Sequence, residues 1–270
     1  MPVPRSGDEV SVEQVDGALA RIAAKCRFSS LVVRSRLGET DWIASDVDGV
    51  LTPLLHRMSS RDMKWFTRML LKNYAPVVLP EGLVLRSFHF LLPDLLKFQS
   101  SFDAVVPLLK GPVIGGFPTQ LKGQDQSFYR IGAAKVLVPK VGIKVGRVPY
   151  LKARSIKHCV QMAGRRRMSL ERKYDGEYCQ VHVDLSRGKD CIQIFSKSGK
   201  DSTLDREGIH ETIKNSLRIG RSDCAFSSKC ILEAELVVWD DEEGKVAEFH
   251  KLRKHVSRSG VFLGTALDSQ

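Results

Sequence analysis

Residues 171–185 read ERKYDGEYCQVHVDL, and the alternation that begins in this stretch decides the fold class. Its apolar side chains recur at every second position, namely Val181, Val183 and Leu185. This period is typical of a half-buried strand. The residues SRGKD then supply a turn, and Cys191 to Phe195 alternate again, which predicts an antiparallel hairpin. A further strand with two carboxylates is predicted for ILEAELVVW, from Ile231 to Trp239.

The first half of the chain predicts helices instead. Ser59 and Ser60 can cap a helix whose first turn holds Asp62. Its apolar face is made by residues three and four apart, namely Met63, Phe66, Met69 and Leu70. A second helix is predicted to begin near Pro93 and to turn inward Leu95, Leu96, Phe98, Phe102, Val105 and Val106. Beyond the hairpin, a helix from about Asp205 is predicted by the spacing of Ile209, Ile213 and Leu217.

Two segments rich in glycine and proline, Gly111 to Pro118 and Pro139 to Pro149, mark connections between these parts. The change of period nearby places a domain boundary near Lys140. We therefore expect an α+β protein with two domains. A helical domain would span residues 1–140, and a domain built on antiparallel sheet would span residues 141–270.

Composition narrows the class of protein. The chain has 270 residues, of which 43% are hydrophobic, so a disordered chain and a collagen are excluded. No apolar run reaches the about 18 residues that a membrane helix needs. The N-terminal MPVPRSGDEV has neither an export signal nor a transit-peptide pattern. The six cysteines contain no CxxC pair, which argues against a zinc or redox motif.

The positive charge is concentrated in one segment. The chain carries 42 Lys and Arg against 31 Asp and Glu, a formal charge of +11. Residues 131–173 contain twelve basic residues and one acid, Glu171, so this segment holds the entire excess. Such a concentration favours a polyanionic partner, because each cation that neutralises a phosphate releases counterions. A solvated basic linker is the alternative, whereas Pro139 and Pro149 argue against a membrane-bound amphipathic helix.

The stretch from Lys173 to Tyr178 has the form KxDGxY, and it is followed by FSKSG from Phe195 to Gly199 and by EAELVVWD from Glu233 to Asp240. In order and spacing these motifs resemble those of the ATP-dependent DNA ligases, which are covalent nucleotidyltransferases. Upstream, RDMKWFTRMLLK from Arg61 to Lys72 resembles the helical DNA-binding domain of the ligase IV type. The resemblance covers most of the chain.

The resemblance implies a role for each matching residue. Lys173 would be the covalent nucleophile, which attacks the α-phosphorus of ATP only as the neutral amine. Glu171 would read the adenine, and Glu235 would bind Mg²⁺ through its hard carboxylate oxygens. Further nucleotide contacts would come from Asp175, Gly176, Tyr178 and Lys197. DNA contacts are expected from Arg61, Lys64, Arg68, Arg165, Arg166 and Arg167. The structural alternatives are a turn lysine at Lys173 and a salt-bridged Glu235.

Two positions depart from the family pattern. Tyr178 and Lys197 stand where the ligase motifs have Arg, and neither side chain can bind a phosphate bidentately. The matching motifs also stop at Asp240, before the later motifs and the OB-fold domain of the family. The resemblance therefore implies a partial helical domain followed by a truncated nucleotidyltransferase domain. We expect these 270 residues by themselves to be impaired in adenylylation.

The resulting hypothesis is a DNA ligase that uses ATP and Mg²⁺ to seal breaks through a lysyl-AMP intermediate, in DNA repair or recombination. The implied partners are nicked or broken duplex DNA and an end-joining scaffold protein, the implied location is the nucleus, and no membrane is involved. Two alternatives stay open. One is a non-catalytic DNA-binding remnant of a ligase, and the other is an RNA ligase or capping-type nucleotidyltransferase.

Overall fold

The computed structural model describes residues 9–26, 29, 31–35, 47–123 and 125–255. The chain forms two compact units. The first consists of Met1–Glu81, Lys200–Asp205 and Arg258–Gln270. The second consists of Gly82–Gly199 and Arg206–Ser257. Within the described ranges, no helix has the length and apolar character needed to cross a bilayer.

The first unit is helical in its described part. Its helices are α1 (Val12–Lys25), α2 (Leu31–Ser35), α3 (Val47–Leu55) and α4 (Ser60–Leu71). They enclose a small core of Ala18, Val50, Leu54, Met58 and Phe66. The predicted cap of α4 is confirmed, because the Asp62 amide donates a 3.2 Å hydrogen bond to the Ser59 hydroxyl. Phe66 is buried on the predicted apolar face, whereas Met69 is exposed.

The second unit begins with further helices. These are α5 (Glu81–Phe88), α6 (Leu92–Phe98), α7 (Phe102–Leu109), α8 (Gln126–Gly132) and α9 (Ile156–Ala163). The helix predicted near Pro93 is interrupted at Gln99, which is extended and ends α6. The interruption changes which side chains face inward. Leu95 and Val105 are fully buried as predicted, but Phe102 and Val106 are exposed.

The rest of the second unit is built on an antiparallel sheet. Its three strands are β1 (Glu177–Asp184), β2 (Ile192–Ser196) and β3 (Lys229–Leu236), in the order β2-β1-β3. A separate two-stranded ribbon consists of β4 (Trp239–Asp240) and β5 (Lys245–Val246). The predicted hairpin is confirmed, with a 3₁₀ segment, Leu185–Asp190, as its turn. The later helices are α10 (His210–Ser216) and α11 (Phe249–His255). The chain is thus a mixed α+β protein.

One face of the sheet is apolar. Cys179, Val181 and Val183 of β1 are buried together with Ile192 and Ile194 of β2. The predicted apolar stripe of the following helix packs against them, namely Ile209, Ile213 and Leu217. This helix begins later than predicted, because Leu204–Ile209 is a 3₁₀ segment and α10 starts at His210. Burial of this face supplies the hydrophobic stabilisation of the sheet.

The other face of β1 is polar and equally buried. Gln180 and His182 have no exposed surface, so their polar atoms need hydrogen-bond partners inside the protein. The Gly142 amide donates to His182 Nδ1 at 3.0 Å, and the Val145 amide donates to Gln180 Oε1 at 2.7 Å. His182 Nε2 lies 2.9 Å from the same Gln180 oxygen. Because Nδ1 accepts, Nε2 carries the proton and donates to Gln180.

Residues 142–146 also bond to the helical part of the second unit. The Gly146 amide donates to the Lys97 carbonyl at 2.9 Å, and the Ser100 amide donates to the Lys144 carbonyl at 2.7 Å. This segment therefore connects the end of α6 to the polar face of β1. The domain boundary near Lys140 stays a prediction, and the two compact units divide the chain at other positions.

The burial of His182 predicts a pH dependence of stability. Burial lowers the pKa of His182 to about 4. Between pH 6.5 and 4 the unfolded chain therefore binds a proton at this residue that the folded chain does not, so acid destabilises the fold. We expect the free energy of unfolding to fall by about 2 to 3 kcal/mol across this interval from His182 alone.

Urea unfolding at a series of pH values measures this effect. His182→Gln should reduce the pH dependence, whereas His56→Gln, at an exposed histidine of α3's C-terminal turn, should leave it unchanged. His89 is also buried with a lowered pKa, but it is present in all three proteins and cancels in the comparison. Equal pH dependence in the His182→Gln protein and the unaltered protein would contradict the assignment.

Candidate active site

Lys173 lies in the wall of an open cleft of about 550 Å³. The cleft is formed by two short segments of the second unit. One wall consists of Arg172, Lys173, Tyr174 and Asp175, and the other of Val246, Ala247, Glu248, Phe249 and His250. The structure therefore places Lys173 and Asp175 of the predicted site at one cavity.

The Lys173 side chain forms few polar interactions. Its amine makes a long hydrogen bond, 3.4 Å, to the carbonyl of the adjacent Tyr174. No described carboxylate lies within ion-pair distance of this amine. The neighbouring Arg172 guanidinium stacks over the Tyr174 ring, 5.3 Å from its centroid. The amine thus lies at the cleft and has a cation, Arg172, as its sequence neighbour.

The opposite wall begins in β5 and continues into the first turn of α11. His250 Nδ1 lies 3.2 Å from a Glu248 carboxylate oxygen, and Phe249 presents an aromatic ring. An ion pair of 3.3 Å between Lys251 and Asp240 fixes α11 to the β4–β5 ribbon. This wall could not be predicted from the sequence, because two-residue strands leave no periodic signal.

Gly176 packs directly against β3. A Cβ atom added at Gly176 would lie 2.3 Å from the Leu236 carbonyl oxygen and 2.9 Å from Glu235 Cγ. Both distances are shorter than any side chain tolerates, so only glycine fits between the Lys173 loop and this strand. The close approach brings the lysine motif and the acidic strand motif together in space.

Tyr178 belongs to the polar face of the sheet. Its hydroxyl donates a 2.7 Å hydrogen bond to Glu233 Oε1, and Gln180 Nε2 lies 3.4 Å from the same hydroxyl. Burial, with the hydrogen bond to Glu233, raises the pKa of Tyr178 to about 12. The Arg147 guanidinium stacks over the Tyr178 ring at 4.9 Å. Position 178 therefore carries a neutral, hydrogen-bonded phenol covered by an arginine from another segment.

Glu235 pairs with Tyr178 across the ladder of β1 and β3, and its side chain is exposed. Glu233 lies two residues earlier and so on the same face of β3. In the described part of the chain, no three His, Cys, Asp or Glu side chains converge as a metal site. Two carboxylates on one face still match Mg²⁺, which protein sites commonly hold by one or two carboxylates together with substrate phosphates.

The other predicted nucleotide contacts lie apart from the cleft lining. Glu171 is exposed and accepts a 3.3 Å hydrogen bond from the Ser169 hydroxyl. Lys197 is exposed in the turn after β2, where the Gly199 amide closes the turn onto the Ser196 carbonyl at 3.0 Å. Neither residue is among those that line the cleft. Their roles stay predictions.

The basic segment, residues 131–173, is rich in exposed cations without anionic partners. Eleven of its twelve basic residues are exposed, and Lys144 alone is buried. None of the twelve forms an ion pair with a described residue. Arg166 differs from Arg165 and Arg167, because its guanidinium donates to the Met162 and Ala163 carbonyls at the end of α9. Arg165 and Arg167 are therefore the more available of the three predicted DNA contacts.

The predicted DNA contacts on α4 are also unequal. Arg61 and Lys64 are exposed. Arg68 instead donates to the Ala75 carbonyl at 3.1 Å and stacks over Trp65, 5.0 Å from the ring centroid. Trp65, interpreted from the sequence as a packing residue, is 37% exposed. Any DNA contact of this helix would thus involve Arg61 and Lys64 before Arg68.

Four residues of the polar face were not predicted from the sequence, namely Lys144, Arg147, Gln180 and His182. A signal for two of them was present, because Gln180 and His182 occupy alternate positions of a strand whose other positions are apolar. Such a pattern usually indicates a solvated face. The structure shows a buried one, since residues 142–146 cover it.

Comparison with known proteins supports a family resemblance for part of the chain. Residues 149–267, fewer than half of the chain, match the family described as the ATP dependent DNA ligase domain. Over these residues the chain is similar to the ATP-dependent DNA ligases. This match includes the Lys173 motif, the second motif at Phe195 and the acidic strand, so the resemblance inferred from those residues is confirmed.

Named relatives agree with the ligase IV type. The chain is 24% identical over 240 residues to a putative DNA ligase 4 of Oryza sativa subsp. japonica, which covers 89% of this chain and 16% of the relative. It is 22% identical over 200 residues to DNA ligase 4 of Arabidopsis thaliana, covering 74% and 14%. Over 84 residues it is 31% identical to DNA ligase 4 of Dictyostelium discoideum, covering 31% and 7%. The chain thus spans less than a fifth of the length of each of these ligases.

The close approach of Gly176 to β3 predicts that a methyl group added at this position destabilises the protein. Gly176→Ala should force the Lys173 loop away from β3 and lower the free energy of unfolding by about 1 to 3 kcal/mol, as overpacking does. Gly116→Ala is a matched control, because no atom lies within 4 Å of a Cβ built there. Urea unfolding of the two variants measures the difference. Equal midpoints for Gly176→Ala and the unaltered chain would show that the loop does not pack on β3.

Proposed function

We propose that this chain carries the nucleotide-accepting part of a DNA ligase that seals breaks through a lysyl-AMP intermediate, in DNA repair or recombination. The observation that carries the proposal is the Lys173 amine, which faces a cleft without a carboxylate partner. The family match supports the choice of ATP as the nucleotide. The ligase 4 names of the relatives support the choice of DNA ends as the substrate.

In the proposed reaction, neutral Lys173 Nζ attacks the α-phosphorus of ATP. A phosphoramidate bond forms, the bond to the bridging oxygen of pyrophosphate breaks, and the amine proton leaves to solvent. AMP then passes to a 5′-phosphate at the DNA break, and attack by the 3′-hydroxyl releases AMP. Arg172, the preceding residue, lines the same wall of the cleft as the nucleophile and carries a positive charge there.

The remaining site residues are assigned by the resemblance. Glu171 would contact adenine, and Asp175, Gly176, Tyr178 and Lys197 would contribute to nucleotide or nick binding. Bound Mg²⁺ would neutralise charge on the phosphoryl groups, and the exposed Glu235 carboxylate on β3 would help to hold it. A Cβ atom added at Gly176 would lie 2.9 Å from Glu235 Cγ, so the Glu235 side chain lies next to the motif that carries the nucleophile.

Nicked or broken duplex DNA is the proposed partner of the basic segment. Its exposed cations lack ion-pair partners in the described structure, so phosphate contacts would not require existing ion pairs to break. The helical first unit, through Arg61 and Lys64, would add a second set of contacts as a partial DNA-binding domain. We propose a nuclear location and an end-joining scaffold protein among the partners, following the sequence resemblance to the ligase IV type.

The unpaired cations also favour a second function, a ligase remnant that binds DNA without catalysis. This function needs the basic segment and not the Lys173 amine. A capping-type or RNA-ligase reaction would use Lys173 but a different nucleotide or nucleic acid. The three functions therefore differ in whether AMP, GMP or no nucleotide becomes attached to the chain.

Lys173 should become covalently labelled by ATP. We expect weak labelling of the 270-residue chain, and strong labelling of a chimera completed with the C-terminal part of Arabidopsis thaliana DNA ligase 4. Lys173→Ala and Lys173→Arg should abolish both signals, because neither side chain offers a usable amine. Radiolabelled ATP and GTP, with mass spectrometry of the Lys173 peptide, measure the adduct.

Lys157→Ala is the control for this experiment, since Lys157 is an exposed lysine of α9 outside the cleft. This variant should label like the unaltered protein. Label that survives Lys173→Ala would reject the nucleophile. GMP on the chain would support the capping-type reaction, and DNA binding by an unlabelled chimera would support the non-catalytic remnant.

DNA binding by the basic segment should depend on salt through Arg165 and Arg167. Each phosphate contact contributes about 0.9 to the slope of log affinity against log salt concentration, so replacing both by Ala should flatten the slope by about 2. Fluorescence anisotropy with a duplex at several KCl concentrations measures it. The matched control replaces Arg187 and Lys189, exposed cations in the hairpin turn, by Ala. An equal slope for both double variants would show that Arg165 and Arg167 do not contact DNA.

A further inference from the structure

Residues 142–147 hold two cations rigidly at the polar face of the sheet. The backbone of this segment bonds on one side to Gln180 and His182 of β1 and on the other to Lys97 and Ser100. The backbone that carries Lys144 and Arg147 is therefore held in place by these hydrogen bonds. Cations held in this way lose little conformational freedom when they bind a ligand.

Lys144 is a nearly buried cation without a strong partner. The residue is 8% exposed. Its ammonium makes a 3.4 Å hydrogen bond to the carbonyl of the adjacent Val145, and no described carboxylate lies within 4 Å. Burial and the charge of Arg147 lower the pKa of Lys144, while Glu233 acts in the opposite direction. A buried ammonium is costly unless an anion or several acceptors compensate for its lost hydration.

Arg147 adds a second positive charge above the same face. Its guanidinium lies over the Tyr178 ring, at 4.9 Å, and the side chain is exposed. A stacked guanidinium keeps its N–H edges available for hydrogen bonds, because the ring contacts only its flat surface. Glu233 accepts a 2.7 Å hydrogen bond from the Tyr178 hydroxyl. One of its carboxylate oxygens is thus already engaged.

The turn after β2 borders this pair of cations. A Cβ atom added at Gly199 would lie 3.4 Å from Lys144 Cδ, so the lysine stem runs against the turn. Lys197 is exposed in the same turn, and the Ser196 and Ser198 hydroxyls lie 3.1 Å apart. Gly199 has a φ of +92°, which a side chain rarely adopts, so the turn closes here without a bulky residue. The polar face is therefore bordered by cations and hydroxyl donors.

We propose that Lys144 and Arg147 form a phosphate-binding subsite on the polar face of the sheet, in front of Tyr178. Its ligand is a phosphate group, carried either by the nucleotide at Lys173 or by the DNA. A phosphate would give the buried Lys144 ammonium its missing anion and would accept two parallel N–H bonds from Arg147. The inference rests on the proposed function for placing a nucleotide near Lys173, whereas the subsite itself depends only on these two cations.

Direct binding measurements test the subsite. Isothermal titration calorimetry of the chain with inorganic tripolyphosphate, ATP and adenosine forms one arm. Anisotropy with a nicked duplex carrying either a 5′-phosphate or a 5′-hydroxyl forms the other. The variants are Arg147→Gln, Lys144→Gln and, as the matched control, Arg187→Gln, at an exposed arginine in the hairpin turn outside the basic segment.

We expect Arg147→Gln to weaken phosphate binding by about tenfold, the effect of one charge-assisted contact, and to leave adenosine unchanged. If Arg147→Gln loses affinity for tripolyphosphate and ATP, the phosphate belongs to the nucleotide. If it loses affinity for only the 5′-phosphorylated duplex, the phosphate belongs to DNA. Equal affinities in Arg147→Gln and Arg187→Gln, or no phosphate binding by the unaltered chain, would overturn the proposal.

Two controls keep the result interpretable. Because Arg147 is exposed, Arg147→Gln tests the subsite even if Lys144→Gln unfolds the protein. Arg147→Lys keeps the positive charge and should therefore retain part of the phosphate affinity. The proposed function is tested separately by labelling of Lys173. If Lys173 is not labelled but Arg147→Gln loses phosphate affinity as expected, the lysyl-AMP reaction is rejected and the subsite is retained. If Lys173 is labelled but Arg147→Gln keeps its phosphate affinity, the subsite alone is rejected.

Discussion

Strand β1 is buried on both faces, and the two faces require different partners. Cys179, Val181 and Val183 need only apolar contacts, which the following helix provides. Gln180 and His182, on the opposite face, need hydrogen bonds wherever water is excluded. The backbone amides of residues 142–145 supply them. The position of this connecting segment, and with it the position of its cations, therefore follows from two polar side chains in the strand.

A second constraint joins the lysine motif to the acidic strand. β3 lies beside β1 in the sheet, so the chain that enters β1 must pass close to the end of β3. At Gly176 the approach leaves no room for a side chain. The glycine thus lets Lys173, three residues earlier, sit at the rim of the cleft while Glu235 lies against the same turn. Motifs separated by more than fifty residues of sequence meet because the strand order brings them together.

The elements of the fold that leave a local signal in the sequence could be predicted from it. The cap of α4 at Ser59, the hairpin after Tyr178 and the stripe of Ile209, Ile213 and Leu217 each leave a local signature, and each is present. The polar face could not be predicted, since Gln180 and His182 find their partners 35 and 40 residues away. The second wall of the cleft could not be predicted either, because a ribbon of two-residue strands and a short helix show no detectable sequence period.

The structure also changes the meaning of the formal charge. The sequence assigns +11 to residues 131–173, but charge available to a polyanion is a property of single side chains. Lys144 is buried at the sheet, and Arg166 is bound to the carbonyls at the end of α9. Arg147 is stacked on Tyr178, while Arg165 and Arg167 project without such contacts. Counterion release depends on the cations that reach phosphates. A long polyanion would therefore interact chiefly with the exposed cations, whereas Lys144 and Arg147 are placed to bind one phosphate at a fixed position.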